Sequence, residues 1–250
     1  MIRYEIASES LIGGRTENQD CYKYSETSLG LLSVVCDGMG GMNGGRVAAE
    51  IAVSKIFEEI SSSHTDNPKV LINSAILKAN ATIFAESRNK PSLFGMGTTA
   101  VVLTINENNA ICFHIGDSRI YQFRKGKILF RTFDHSKVFE QVRLGILTEE
   151  EARVSPESNI ITRALGTRLN VEITISEELS YNKGDRFFLC TDGIWGAIPE
   201  TQLTEMATMD KPIEEVVKHM TAFVDQMGME QGGMHDNMTA VIIEMQNKSM

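Results

Sequence analysis

No two of the four cysteines, Cys21, Cys36, Cys112 and Cys190, stand close together in the sequence. That excludes a readable zinc or redox pair. Cys36, Cys112 and Cys190 lie inside apolar runs, where cysteine acts as a small buried hydrophobe, so they are expected to be reduced. The opening, MIRYEIASES, has no apolar stretch of signal-peptide length, and no run approaches the ~20 apolar residues of a membrane span. The expected location is the cytoplasm, away from any membrane. Positive charge is also scarce: 24 Lys and Arg against 33 Asp and Glu leave a net charge of -9. Sequence-independent nucleic-acid binding needs basic surface, so no nucleic-acid partner is expected. Internal repeats and low-complexity tracts are missing too.

What is present is 250 residues, 42% apolar and 23% charged, the composition of an ordinary globular chain. The length suffices for a single domain, 1–250, with a full core. Short apolar runs predict strands at 2–8, 30–36, 98–105, 110–116, 119–123, 127–130, 171–175, 186–191 and 238–245. Asn106–Asn109 and Lys125-Gly126 read as hairpin turns. Helical spacing appears in 46–60, 68–87 and 212–227. Strands in adjacent hairpins with long helices between them argue for antiparallel sheets covered by helices, not alternating βαβ units. Residues 134–160 are polar and short-helical, and are expected to be an excursion poor in core residues.

Acids recur where apolar runs begin or end. Asp37 follows Leu31–Cys36 and precedes Gly38. Asp192 follows Phe187–Thr191 and precedes Gly193. Asp117 follows an apolar run and Gly116. Asp236 stands just before one, and Asp20 precedes an expected strand. A single aspartate at a strand end is ordinary turn chemistry. Five of them, if their strands lie side by side, would place several carboxylates at one edge of the core. Their repulsion at low dielectric calls for a cation. No His/Cys cluster accompanies them, which disfavours zinc and copper, whereas oxygen-only ligation suits Mg²⁺ or Mn²⁺. Two such ions sharing an aspartate polarise a water into a hydroxide-like nucleophile and neutralise a phosphoryl group. Arg15 is a candidate for the remaining phosphate oxygens, since guanidinium matches phosphate bidentately; the alternative is a surface arginine beside a turn. The glycine loop 38–45 lacks the GKS/T end of a P-loop, and the contiguous residues of DHS at 134–136 cannot form a triad; Ser136 reads as a helix N-cap.

RTENQD, VVCDGMGG, MGTTAVV, GDSRIY, DHS, ITRALG, LCTDGIWG and HDNMTAVI follow one another in that order. Together they resemble the metal-dependent serine/threonine protein phosphatases of type 2C (the PPM family), and DGMGG resembles the bacterial branch. The resemblance implies an α+β fold: a four-layer α-β-β-α sandwich, two antiparallel sheets flanked by helices, with a small flap subdomain at about 134–160. It implies hydrolysis of phosphoserine and phosphothreonine in proteins by a metal-bridging hydroxide, without a phosphoenzyme. Two Mn²⁺ or Mg²⁺ ions are implied, with a third, weaker one. By motif, Asp37 would bridge both ions, the Gly38 carbonyl would bind one, and Asp192 and Asp236 would hold the other. Asp20 would bond metal-held water, Asp117 would serve the third ion, and Arg15 would bind substrate phosphate. Partners would be phosphoproteins and the pathway of a cognate Ser/Thr kinase, and the chain is expected to be a monomer.

Several positions depart from the family pattern. Gln19 stands where glutamate is frequent, Met39 and Met42 where some members carry a histidine, and Arg46 where an acid is common. SPESN replaces a more basic stretch of the flap. His235, next to Asp236, is a candidate proton donor to the leaving group; the alternative is an exposed loop histidine. Rival readings are a pseudophosphatase that binds phosphoproteins, or a small-molecule phosphohydrolase.

Overall fold

The computed structural model describes residues 2–40, 44–63 and 67–246. In chain order it runs β1 (Tyr4–Leu11), β2 (Asp20–Thr27), β3 (Gly30–Met39), α1 (Gly44–Ser61), α2 (Pro68–Asn89), β4 (Gly97–Thr98), β5 (Ala100–Ile105), β6 (Ala110–Ile115), β7 (Arg119–Arg124) and β8 (Lys127–Arg131). The second half contributes α3 (Lys137–Arg143), α4 (Glu149–Arg153), β9 (Thr174–Ile175), β10 (Arg186–Cys190), α5 (Asp192–Trp195), α6 (Glu200–Ala207), α7 (Ile213–Glu230) and β11 (Met238–Met245).

The strands form two antiparallel sheets, β1-β11-β10-β7-β8 and β2-β3-β5-β6-β9, with β4 paired to β3. Helices α1 and α2 cover the β3 sheet, and α6 and α7 cover the β11 sheet, so the expected four-layer α+β sandwich is what the chain adopts. Period-two alternation explains how single strands serve two cores. On β3, Leu32, Val34 and Cys36 face the helices, while Leu31 and Val35 face the opposite sheet. On β11, Met238, Ala240 and Ile242 face the helices, while Val241 and Ile243 face the slot between the sheets. Phe187 and Leu189 of β10 fill the same slot, fully buried. Truncating such a residue to alanine costs about 2–5 kcal/mol.

The turns follow local chemistry. The Asn106 side chain accepts from the backbone of Asn108 and Asn109, closing the β5–β6 hairpin. Lys125 and Gly126 both take positive φ, 50° and 74°, as a two-residue hairpin turn requires. Three expectations need correction. The 98–105 run is broken at Thr99, because Asp37 lies opposite and its amide bonds the Thr99 hydroxyl. Of 171–175 only Thr174 and Ile175 pair as a strand, against β6. Segment 134–160 is not poor in core: Val138, Phe139 and Ala152 are buried in the α6–α7 core. Its polar look came from α4 and the turns around it. Ser136 does cap α3, accepting from the Phe139 amide.

Among the described residues no helix is long and apolar enough to cross a membrane. Cys36, Cys112 and Cys190 are buried and free, as expected, and Cys21 is half-buried.

Candidate active site

Alternation also explains why the acids converge. Asp37 lies two residues beyond Val35 and so points to the slot between the sheets. Asp20 is its register partner on β2 and shares that face. Thr191 and Thr239 come to the same end from the other sheet, and both hydroxyls donate to Asp20 Oδ2, at 2.9 and 2.7 Å. The slot, apolar along its length, thus ends in carboxylates.

Asp37, Asp117, Asp192 and Asp236 line one cavity of about 200 Å³, together with Arg15, Gln19, Gly38, Met39, Thr99 and Asn159. Asp20 stands behind this lining. Burial, reinforced by Asp20, Asp192, Asp117 and Asp236, pushes the Asp37 carboxyl well above its ordinary value. Burial likewise raises Asp117, with Asp192 and Asp134 adding to it. Asp192 is raised to about 6 by burial and by Asp236. Asp20 is raised to about 7 by burial, against the pull of its two threonine bonds. Every shift runs in the direction that a positive charge would reverse.

Glycines let backbones meet here. A side chain on Gly38 would collide with the Gly45 carbonyl at 2.1 Å, and one on Gly193 with the Asn237 carbonyl at 1.9 Å. Gly38 is therefore required by the seating of α1 and of the β1–β2 loop. Asp117 is held from two sides. Trp195 Nε1 donates to its carbonyl at 2.9 Å. The preceding Gly116, at φ +100°, donates its amide to His135 Nδ1.

At the mouth, Arg15 Nη2 bonds Asp236 Oδ2 at 2.8 Å, and both side chains remain about half exposed. Arg15 is thus placed to meet an incoming anion. The residue that seats its loop is Asn237, which sequence reasoning passed over. Its amide donates to the carbonyls of Ile12 and Glu17 and accepts from the Gln19 amide. The available signal was its position beside Asp236 at the start of a strand. Thr191, Thr239 and Trp195 were also missed, because hydroxyls and an indole next to apolar runs carry no signature of their own.

His235 is not part of this cavity. Its Nε2 bonds Asp225 on α7 at 2.8 Å, and its ring packs where a side chain on Gly228 would stand. The carbonyl, not the ring, faces the β1–β2 loop, bonding the Gly14 amide. The proposed proton-donor role is corrected accordingly. Met39 lines the cavity, while Met42 lies outside the described residues.

One carboxylate oxygen of Asp20 and one of Asp192 are buried with no hydrogen-bond partner among the described residues. An orphaned buried carboxylate oxygen is costly unless a cation meets it. The donor set is all oxygen, which fits a hard divalent cation and not zinc. Among the described residues, no three His, Cys, Asp or Glu close on one point as a ligand cluster. That agrees with Mg²⁺-type binding, where one or two carboxylates and several waters complete the shell.

Residues 9–239 match the protein phosphatase 2C family. The serine/threonine phosphatase stp of Listeria monocytogenes is 30% identical over 236 residues, spanning 93% of this chain and 88% of that protein. Protein phosphatase PhpP of Streptococcus pneumoniae is 30% identical, spanning 92% and 93%. Among solved structures, the Mycobacterium tuberculosis serine/threonine phosphatase PstP/Ppp superposes with a TM-score of 0.85 at 28% identity, covering 98% of this chain and 99% of that one. The catalytic domain of PstP in complex with two manganese ions gives 0.82 at 27% identity, covering 98% and 99%. With its sandwich, its acid-lined cavity and matches along nearly its whole length, the chain belongs to the protein phosphatase 2C family.

Proposed function

We propose that this protein removes phosphate from phosphoserine and phosphothreonine side chains by direct attack of water, using two Mn²⁺ or Mg²⁺ ions. The observation that carries the reading is the convergence of Asp37, Asp117, Asp192 and Asp236 on one cavity with Arg15 at its mouth. When bound, the ions acidify a water and neutralise charge on the phosphoryl group.

The chain's own residues have separate tasks. Asp37, between both sheets, would be the carboxylate shared by the ions, and the Gly38 carbonyl would add a neutral oxygen. Asp192 and Asp236 would hold the second ion, and Asp117 a weaker third. Asp20, oriented by Thr191 and Thr239, would accept a hydrogen bond from water held at the site and would not touch the phosphate itself. Arg15 swings from Asp236 to the phosphate oxygens, where its fork of donors fits two of them. No side-chain nucleophile is used. Thr99, the one hydroxyl residue lining the cavity among the described residues, already accepts from the Asp37 amide and bonds Ser118 at 2.7 Å. The protein acts as a monomer on phosphoproteins of a Ser/Thr kinase pathway.

The test is phosphate release from a phosphothreonine peptide in EDTA, then Mg²⁺, then Mn²⁺, for wild type beside Asp192→Ala. Metal-restored release, abolished in the variant, supports the reading. No release from folded protein under any metal rejects it in favour of a pseudophosphatase or a phosphohydrolase of small molecules.

A further inference from the structure

The catalytic cavity does not end at Arg15. A second recess, of about 720 Å³, opens beside it between the β1–β2 loop and the start of α1. Arg15, Gln19, Asp236 and Asn237 line both spaces, so the two adjoin. A recess of about 720 Å³ is roughly 9 Å across, the reach of about two to three extended residues. The recess is large enough for the residues that flank a phosphoresidue seated in the cavity.

The recess holds a second arginine, Arg46, in the first turn of α1. Its i,i+4 pair with Glu50 has the weaker orientation, cation before acid, and supports the helix little. A cation in a first turn opposes the helix dipole, and that turn carries no acidic residue to offset it. Arg46 Nε bonds Glu50 at 2.9 Å, one turn on, which fixes the guanidinium over the recess. Glu17, on the facing loop, approaches Arg46 Nη1 only to 3.6 Å, beyond a good hydrogen bond. The side chain is 54% exposed, so its donors are open to an arriving anion.

We propose that Arg46 forms an anion subsite beside the catalytic cavity. It selects phosphoproteins with a second negative group, a carboxylate or another phosphate, two to three residues from the scissile phosphoresidue. The inference rests on the phosphatase reading above and names its substrate class. It also answers an electrostatic problem. A chain of net charge -9 repels acidic substrates at a distance. Beyond about 8 Å that repulsion is screened at physiological ionic strength, so one well-placed guanidinium decides the local preference. Glu17 competes for the same guanidinium and sets how strongly the incoming anion must bind.

The experiment measures kcat/KM with Mn²⁺ for a phosphothreonine peptide series. At two and three residues on either side it carries Ala, Lys, Asp or a non-hydrolysable phosphonate. p-Nitrophenyl phosphate and the alanine peptide serve as controls in wild type. The expected result is that Asp or phosphonate on one side raises kcat/KM about fivefold over Ala, the worth of one exposed charge pair. Lys falls below Ala. In Arg46→Gln the Asp/Ala ratio drops to about one through KM, Arg46→Lys restores part of it, and Glu17→Gln raises it above wild type. A gain with phosphonate alone assigns the subsite to a second phosphate; a gain shared by Asp assigns it to any acidic neighbour. Equal kcat/KM across the series, or the same preference in Arg46→Gln, overturns the subsite while the controls still report a phosphatase. Controls that are not turned over reject the hydrolase reading, and the subsite with it.

Discussion

Asp20 and Asp37 stand directly opposite one another on β2 and β3, and both point into the slot between the sheets. Cross-strand partners lie close enough that like charges destabilise the sheet, and burial sharpens the conflict. Stability and function therefore pull in opposite directions at this pair. Asp37→Asn is expected to lower Mn²⁺-dependent phosphopeptide turnover by about a thousandfold or more. It is also expected to raise the melting temperature in EDTA by about 2–4 °C, the equivalent of about 1 kcal/mol in a chain of this size. Activity assays beside thermal melts check both halves. A fully active variant would remove Asp37 from the centre of the site.

Metal binding should be linked to pH through the same acids. Burial raises Asp20 to about 7 and Asp192 to about 6. Carboxyls raised in the folded state hold protons that the unfolded chain releases above about pH 4. Their contribution to metal-free stability is present at low pH and fades as pH rises from about 4 to about 7. A divalent cation displaces those protons. The gain in melting temperature from EDTA to Mn²⁺ is therefore expected to grow between pH 5 and pH 7 and level off above. Paired melts at each pH isolate it, since other titrating groups act equally in both. A gain independent of pH would mean that these acids do not hold the ion.

The parts of this molecule with a period were legible in the sequence. Leu31–Cys36 and Met238–Met245 announce strands with two buried faces, and the stripe from Ile213 to Met227 announces α7. The acids were legible because aspartate beside glycine at a strand end is a local signal. Which side chains orient them was not. Thr191 and Thr239 reach Asp20 only because β10 and β11 cross the slot from β2, a relation 171 and 219 residues apart in the chain. His235 misled for the same reason: adjacency to Asp236 says nothing about a ring that Asp225 and Gly228 draw onto α7. Segment 134–160 misled because three buried hydrophobic residues, Val138, Phe139 and Ala152, anchor a stretch whose other residues are mostly polar.

The buried pair His114 and His135 gives the protein an acid limit of its own. Their rings stack with centroids 4.6 Å apart. His114 Nε2 meets the Phe133 carbonyl, and His135 accepts the Gly116 amide and bonds Thr174. Burial lowers His114 to about 4; burial and the neighbouring His114 lower His135 to about 3. The unfolded chain takes up protons below about 6.5 that the folded rings refuse. Stability from this pair is complete above about pH 6.5 and is lost as pH falls through about 4. His114→Gln keeps a donor for the Phe133 carbonyl without a titrating ring. It is expected to flatten the fall in urea midpoint between pH 6.5 and 4, and an unchanged slope would assign the acid limit elsewhere.

Arg119 and Asp134 form a bidentate pair, 2.8 and 2.7 Å, that is almost wholly buried. Burial raises the Asp134 carboxyl, and the guanidinium, bonded to it twice, offsets part of that rise. Arg119 also lies over the Trp195 ring at 3.5 Å, and Trp195 bonds the Asp117 carbonyl. The pair therefore ties the base of segment 134–160 to the turn carrying Asp117. Asp134→Asn leaves a buried cation half-satisfied and is expected to cost about 3–5 kcal/mol. That is a fall of about 1 M or more in urea midpoint. A double replacement, Arg119→Met with Asp134→Leu, removes both charges and is expected to recover much of the stability. It is not expected to recover full turnover, because the indole that holds Asp117 has lost the guanidinium stacked on it. Recovery of both would reduce the pair to a packing element. Recovery of stability alone would show that its charges serve to place Asp117.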